Sequence, residues 1–348
     1  MVSKITNVGL DFTMFDGKLT GAVDYFYRKR TGIPSIKYDI VLPNELGYGL
    51  PQENLNSDAQ FGGEFTLSYT GKAGDLTYSV GGNVSVSRYK FLSSYKPQFA
   101  NSLDYYLHST ENRYGDIFWG KEVTGQFQTQ DQINNSKVDM DGQGNKTLLP
   151  GDLIYKDQNG DGVITDEDNR PIGYPAGKNP ITNIGLNFSF AWKGFDLNAD
   201  FSGGSNYCYS RNWELRVPFQ NGGALLQDIS ASHWKRTDPA DPNSAWISGT
   251  YPALRFNQSG LSSYNTNSTF WLTNVTYLRA RTIEIGYSIP QKILDKVKMQ
   301  KIRVYVNTNN LFSIDNLSSV GVDAETMDDN GLQYPQSRLV NVGVNLTF

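Results

Sequence analysis

The chain of 348 residues lacks any run of about 20 apolar residues, the length a helix needs to cross a hydrocarbon layer. A passage through a membrane would therefore have to use strands, which span it in about 9 to 11 residues when tilted. Cysteine is almost absent: Cys208 stands alone, which rules out an internal disulfide framework and leaves it the role of a small packed residue. Positive charge is neither abundant nor clustered. With 31 Lys and Arg against 35 Asp and Glu, a formal net charge of -4 and a pI near 5.3, no basic surface is offered to nucleic acid. Histidine is limited to His108 and His233, neither set in a nucleophile arrangement, so no catalytic residue is assigned and no enzyme is expected. Glycine pairs such as Gly203-Gly204 do not follow a strand and open a helix, so no phosphate cradle is expected. Residues 1–9 contain no charged stretch leading into an apolar run; if the protein is exported, its start is expected to lie outside this chain.

What is abundant is two-residue alternation. From Arg338 to Phe348, apolar Val340, Val342, Val344, Leu346 and Phe348 are separated by Asn341, Gly343, Asn345 and Thr347. The same period recurs at Val8, Leu10, Phe12 and Met14, at Phe61, Phe65, Leu67 and Tyr69, at Val80, Val84 and Val86, and at Ile184, Leu186, Phe188, Phe190 and Trp192. Successive strand side chains point to opposite faces, so these segments form sheets with one apolar face. The intervening residues, Glu64, Thr66, Ser68 and Thr70 or Asp196, Asn198, Asp200 and Ser202, suit a wet lumen better than a dry core. The fold class expected is all-β, a transmembrane antiparallel β-barrel. The mean hydropathy of -0.47 is compatible with it, because half of each strand is polar.

Candidate strands are 3–15, 18–30, 58–71, 75–90, 180–193, 194–206, 275–289, 300–312 and 337–348. Links at Phe15–Lys18, Gly71–Asp75 and Trp192–Phe195 carry Asp-Gly, Lys-Ala-Gly and Lys-Gly, residues that tolerate the positive φ of tight hairpins. Between the hairpins lie 31–57, 91–179, 207–274 and 313–336, rich in Asn, Gly, Pro, Ser and aromatics. Several loops of that size are rare in a soluble domain and usual in outer-membrane barrels, where short turns face the periplasm and long loops face outward. The link 290–301 is expected to form one or two helical turns at the periplasmic rim, and 121–129 is assigned to its loop. Trp192, Tyr287 and Phe348 are expected near the inner interface, where amphipathic rings are favoured. In 275–289, Arg279 and Arg281 would share the lipid face with Ile283 and Ile285. A bulge near Arg281 would turn both inward and avoid about 2 to 4 kcal/mol for a lipid-facing arginine.

Two loop features suggest binding. Asp157, Asn159, Asp161, Val163, Thr165 and Asp168 place oxygen donors at calcium-loop spacing, with Gly162 at the sharp turn, so a structural Ca2+ is expected there. Asp168 stands where a helix-flanked calcium hand usually has Glu. The plain alternative is an acidic loop of Asx turns that needs no metal. In the 207–274 segment, Trp213, Trp234, Trp246, Tyr251 and Tyr264, with Trp271, offer flat faces that could stack on sugar rings or peptide side chains, or equally pack the loop or a partner.

Several runs carry a family resemblance. Glu122-Val-Thr-Gly-Gln-Phe-Gln-Thr129, Leu149-Pro-Gly-Asp-Leu-Ile-Tyr-Lys156 leading into the 157–168 loop, and Pro171-Ile-Gly-Tyr-Pro175 are three of them. Tyr277-Leu-Arg-Ala-Arg-Thr-Ile-Glu-Ile-Gly-Tyr-Ser-Ile-Pro290, Val304-Tyr-Val-Asn-Thr-Asn-Asn-Leu-Phe312 and the terminal strand ending at Phe348 complete the set. Together, and in this order, they resemble the C-terminal part of the SusC/RagA family of TonB-linked outer-membrane transporters. The resemblance implies that residues 1–348 supply the C-terminal portion of a 22-stranded barrel, about nine or ten strands, in the outer membrane of a Gram-negative bacterium. It also implies an N-terminal plug, absent here, that engages the TonB complex, and a SusD-like surface lipoprotein that captures an oligosaccharide or peptide. The expected function is TonB-dependent nutrient uptake, with this chain a barrel fragment inactive alone. Two alternatives stay open at this point: a soluble or surface β-rich calcium-dependent carbohydrate-binding protein, and a small closed porin of ten strands.

Overall fold

A computed structural model describes all residues except 38, 39, 41, 96–98, 178, 257–262, 298, 328–332 and 335; parts of the four long connections therefore lie outside the described residues. Nine long strands follow one another in chain order: β1 Val2–Met14, β2 Leu19–Ser35, β3 Glu53–Ala73, β4 Leu76–Ser93, β5 Thr182–Trp192, β6 Phe195–Ser210, β7 Leu272–Ser288, β8 Lys301–Asn309 and β9 Leu339–Thr347. Each pairs antiparallel with the next, an up-and-down meander in which only short Ser313–Asp315, on upper β7, lies off the path. Among the described residues β1 and β9 are each paired on one side, so the wall does not close into a barrel.

All nine expected strands are present, and several run further at the long-loop end. Hairpins close where turn residues predicted them. Trp192 pairs with Phe195 across Lys193 (φ 46°) and Gly194 (φ 90°), and Ala73 pairs with Leu76 across Gly74 and Asp75. The link after β7 folds as the helix Gln291–Val297. Residues Val123–Gln126 do form a strand, but it pairs with Leu153–Tyr155 inside the loop layer and not with the wall.

The two faces of the wall differ as the alternation requires. Outward side chains stay exposed: Val8 and Leu10 at 66%, Val342 at 73% and Ile285 at 55%. A soluble carbohydrate-binding fold would cover such a face with a second layer, which is not seen among the described residues. At the short-turn rim, Trp192, Phe195 and Tyr287 gather, with the Phe195 and Tyr287 rings 4.5 Å apart.

The bulge lies where the arginines demanded it. Asp200 pairs with Thr282 and Phe201 with Ala280, so Arg281 is the extra residue of β7. Below it Ile283 and Ile285 face outward; above it Leu278 and Ala280 take over that face, and Arg279 and Arg281 turn inward. Aromatic rings also lie flat over glycines on the facing strand. A Cβ on Gly343 would fall 2.4 Å from the Tyr305 ring, so that pair interlocks only because residue 343 has no side chain.

Buried hydrophobic clusters are found in the loops and where the loops meet the strand tops. One cluster gathers Phe127, Ile133, Met140, Leu148, Leu153, Tyr155 and Ile164 within the long 94–181 connection. The second sets Leu317, Ala324 and Met327 against the inward faces of Tyr207, Tyr209 and Val275, so the last loop folds onto the inner wall.

Candidate functional site

The inner face and the loops above it form the region able to recognise a solute. Three groups of ion pairs mark the inner face. Arg30 binds Asp58, which also accepts a hydrogen bond of 2.7 Å from the Tyr89 hydroxyl, while Arg28 donates to Gln60 at 2.5 Å. Arg303 joins Asp196 and, at 2.7 Å, Glu284, bridging β6, β7 and β8. Arg279, only 4% exposed, pairs with Asp323 and, at 3.0 Å, with Glu325. Glu325 also binds Arg281 at 2.5 Å, Arg281 donates to Ser202 at 2.7 Å, and the Tyr207 hydroxyl donates to the Ala324 carbonyl at 2.7 Å. These contacts hold residues 317–327 against the wall. Beside them lies a cavity of about 310 Å³, lined in part by Arg279, Asp323, Thr326, Gln336 and Arg338.

The described residues of segments 118–173 and 211–271 interlock into one layer. Lys121 donates its backbone N–H to Asn267, and Thr269 returns one to Lys121. Asp152 is fully buried; its carboxylate accepts from the Leu149 amide (2.7 Å), the Ser263 hydroxyl (3.1 Å) and Arg255. Burial pushes this carboxyl above its ordinary pKa against the pull of Arg255. The preceding Gly151, at φ +95°, lies so close to the Trp234 ring that a Cβ would sit 2.3 Å from it, which accounts for the Pro-Gly-Asp run.

The aromatic candidates fall on two sides of this layer. Trp234 (4% exposed) and Tyr264 (0%) are core residues, with Trp271 between Tyr251 and Tyr264, rings 5.8 and 5.5 Å apart. Tyr251 is half-buried and donates its hydroxyl to Asp228 at 2.7 Å. Trp213 is 51% exposed, and half-buried Trp246 lies under the Arg236 guanidinium at 4.6 Å. The structure brings Tyr251, Tyr264 and Trp271 together and leaves Trp213 and Trp246 apart from them.

In the 157–168 loop the carboxylates are bound to backbone. Asp157 accepts from the amides of Gly160 (2.7 Å) and Gly162 (2.9 Å), Asn159 from Asp161 (3.2 Å), and Asp161 from Val163 (2.8 Å). Asp168, fully buried, accepts from Gln158 and Thr165, both at 2.8 Å, while Thr165 caps the short helix that follows. Beneath the loop, buried Lys121 donates to the Thr165 carbonyl at 2.5 Å, and burial lowers its pKa. Gly162 adopts φ +82°, the turn a calcium loop requires, and the donors are all oxygen. No group of three or more His, Cys, Asp or Glu converges on a metal-sized point among the described residues.

Both histidines have structural partners. His108 pairs with Asp104 at 2.7 Å, and His233 with the Ile229 and Ser230 carbonyls at 3.0 Å. Sequence reading missed the inward arginine pairs; Arg30 stands directly opposite its partner Asp58 in the register, whereas Arg303 reaches Asp196 and Glu284 diagonally across strands.

No family profile matches the chain. It is 23% identical to TonB-dependent receptor P26 of Formosa agariphila over 98% of its own length and 34% of that protein. With TonB-dependent receptor SusC of Bacteroides thetaiotaomicron the identity is 22%, over 98% of this chain and 31% of SusC. The chain thus spans about a third of the curated relatives it matches. Among solved structures, the open-open state of the RagAB peptide importer superposes with a TM-score of 0.68 at 20% identity, covering 99% of this chain and 34% of that one. The closed-closed state gives 0.65 at 19%. These relatives are receptors and importers, not enzymes, in keeping with the absence of an assigned catalytic residue. Over nearly its whole length the chain is thus similar in sequence to TonB-dependent receptors, SusC among them, and its open antiparallel wall matches the fold of the RagAB importer, with about a third of the length of each.

Proposed function

We propose that this chain is the C-terminal wall of an outer-membrane, TonB-dependent uptake transporter for oligosaccharides or peptides, and that it works by recognition and gating. The observation that carries the reading is the division of the wall: a continuous exposed apolar face outside, fixed Arg–carboxylate pairs inside, and an ordered loop layer at one end. Peptide cargo is the nearer choice, because the solved relatives are peptide importers. A SusD-like lipoprotein would cover the loop layer, and the TonB complex would act through strands and a plug supplied by the rest of the barrel. Alone, the wall has two unpaired edges, each backbone group of which costs several kcal/mol in hydrocarbon, so the isolated chain is expected not to transport.

The test is co-expression with an export signal, with and without the N-terminal portion of a SusC-type receptor. A protease-resistant, heat-modifiable barrel in the outer membrane only when both are present supports the reading. A product soluble without detergent overturns it, and a stable barrel from this chain alone assigns a small porin instead.

We also propose that the 157–168 loop takes a Ca2+ through Asp157, Asn159, Asp161, the Val163 carbonyl, Thr165 and Asp168, fastening the loop layer without taking part in any reaction. Donor spacing and the pre-formed turn at Gly162 support it.

A further inference from the structure

Residues directly opposite one another in antiparallel strands share a face, so the registers of β1 to β4 fix rows that cross the wall. On the outward face, the rows from Met14–Leu19–Tyr69–Val80 up to Val8–Tyr25–Gly63–Val86 carry no charge. Above them comes Thr6–Tyr27–Phe61–Arg88, where Arg88 is held by Asp116 at 2.5 Å and covers the Tyr114 ring at 3.7 Å. The next row is Lys4–Lys29–Ala59–Lys90. Neighbouring strands lie about 4.8 Å apart, so three ammonium groups are rooted within about 14 Å of one another along one cross-strand row. Lys4 and Lys29 are exposed, and the Lys90 ammonium lies 5.4 Å from the Tyr114 ring. No carboxylate shares either row on these strands. Asp116 is committed to Arg88, Asp58 faces the lumen, and none of the three lysines enters an ion pair among the described residues.

The level is informative. Ten residues separate Met14 from Lys4; at about 3.3 Å per residue and a tilt of about 45°, that is roughly 23 Å, close to the roughly 25 Å height of a barrel's lipid-facing band. Lys4 and Lys29 therefore stand at the upper border of the band, on the long-loop side, and Lys90, further from its own short turn, stands roughly 9 Å higher. Three lysines in one row, separated from the uncharged rows by a single row whose one charge is already paired, suit an anionic headgroup attached to acyl chains.

We propose that Lys4, Lys29 and Lys90 form a docking site for a phosphate-bearing glycolipid of the outer leaflet, with its phosphates on the lysine row and its acyl chains along the uncharged rows below. A soluble phosphate would leave the apolar rows unused, so an acyl-anchored one is the occupant. The proposal rests on the membrane-wall reading above.

The test uses the full chain co-assembled with the N-terminal portion of a SusC-type receptor in vesicles of phosphatidylcholine alone or with diphosphoryl lipid A. Insertion is read by protease protection, and bound lipid by mass spectrometry after gentle detergent extraction. The wild type is expected to insert into both and to retain lipid A selectively over phosphatidylcholine. Replacing Lys4, Lys29 and Lys90 by Gln should lower that selectivity by roughly five-fold per lysine, near the worth of one basic residue at an anionic surface. The same change at Lys18, Lys72 and Lys193, beside the short turns, should leave it intact. Insertion without selectivity, or selectivity that survives the triple substitution, overturns the glycolipid site while the membrane wall stands. Failure to insert into either vesicle overturns the wall and the site with it. Displacement of lipid A by inorganic phosphate alone would overturn the acyl-anchored occupant.

Discussion

Replacing Arg279 by Met should release the last loop from the inner wall. The guanidinium is 4% exposed and bonds two carboxylates, and the methionine chain fills most of its volume without the charge. Removing one partner of a buried pair costs about 3 to 5 kcal/mol. Two features reduce that here. Glu325 keeps Arg281 at 2.5 Å, and Asp323, 24% exposed, keeps the Glu325 and Thr326 amides at 2.9 and 3.1 Å. A loss of about 2 to 3 kcal/mol remains, equivalent to roughly 30- to 150-fold in the opening equilibrium of the loop. Hydrogen exchange in the detergent-solubilised barrel co-assembled with the N-terminal portion reads it directly: the amides of Glu325 and Thr326 should exchange faster by that factor, while those of mid-strand β3 stay unchanged. Arg281→Met is the comparison. Its side chain is 41% exposed, and exposed pairs contribute about 0 to 1 kcal/mol, so it should raise exchange by no more than roughly five-fold. Equal effects of the two substitutions, or no effect of the first, would refute the tether.

Arg303→Met leaves Asp196 and Glu284 facing each other without their shared cation, and is expected to lower the temperature at which the barrel co-assembled with the N-terminal portion loses its compact gel mobility, with Asp196→Asn partly restoring it. Gly343→Val drives the Tyr305 ring off the β9 backbone; overpacking of this kind costs about 1 to 3 kcal/mol, read as a lower denaturation midpoint that Tyr305→Ala partly recovers. Burial works against the Asp228 carboxylate, but the Tyr251 hydroxyl and Arg211 outweigh it and hold its pKa below the ordinary range. A depressed folded-state pKa stabilises above the unfolded value, so the loop layer should hold its protease resistance from neutral pH to about pH 5 and lose part of it below about pH 4, a loss absent in Asp228→Asn. If the 157–168 loop holds calcium, calorimetric titration of the chelator-treated chain should give one saturable site that Asp157→Asn weakens by more than ten-fold on the order of one lost carboxylate ligand; an unchanged isotherm assigns the loop to Asx turns alone.

Alternation was sufficient to locate the wall, because a strand with one face in lipid has almost no freedom in where its apolar residues fall. It failed at the strand tops. Glu53–Ser57 and Tyr207–Ser210 rise above the apolar band, where both faces are polar or covered by loop, and the period dissolves. The bulge at Arg281 was legible for the converse reason: two arginines on a lipid face are too costly to leave there. The loop layer was not legible. Asp152 meets Arg255 across 103 residues, and Trp234 covers Gly151 from a segment with no period of its own. The aromatic residues announced an ordered loop without telling which rings would be inside. The lysine row was invisible for a third reason: it exists only across four strands, and no single one of them looks basic.

The wall is far from level. β3 has 21 residues and β9 has 9, which at about 3.3 Å per residue and a tilt of about 45° correspond to rises of roughly 49 Å and 21 Å. On the tall side a parapet stands more than 20 Å clear of the hydrocarbon; toward β9 the wall drops to a sill about as high as the hydrocarbon itself. A solute drifting over the surface meets a barrier from one bearing and an open threshold from the other, and the loop tethered by Arg279 hangs above that threshold.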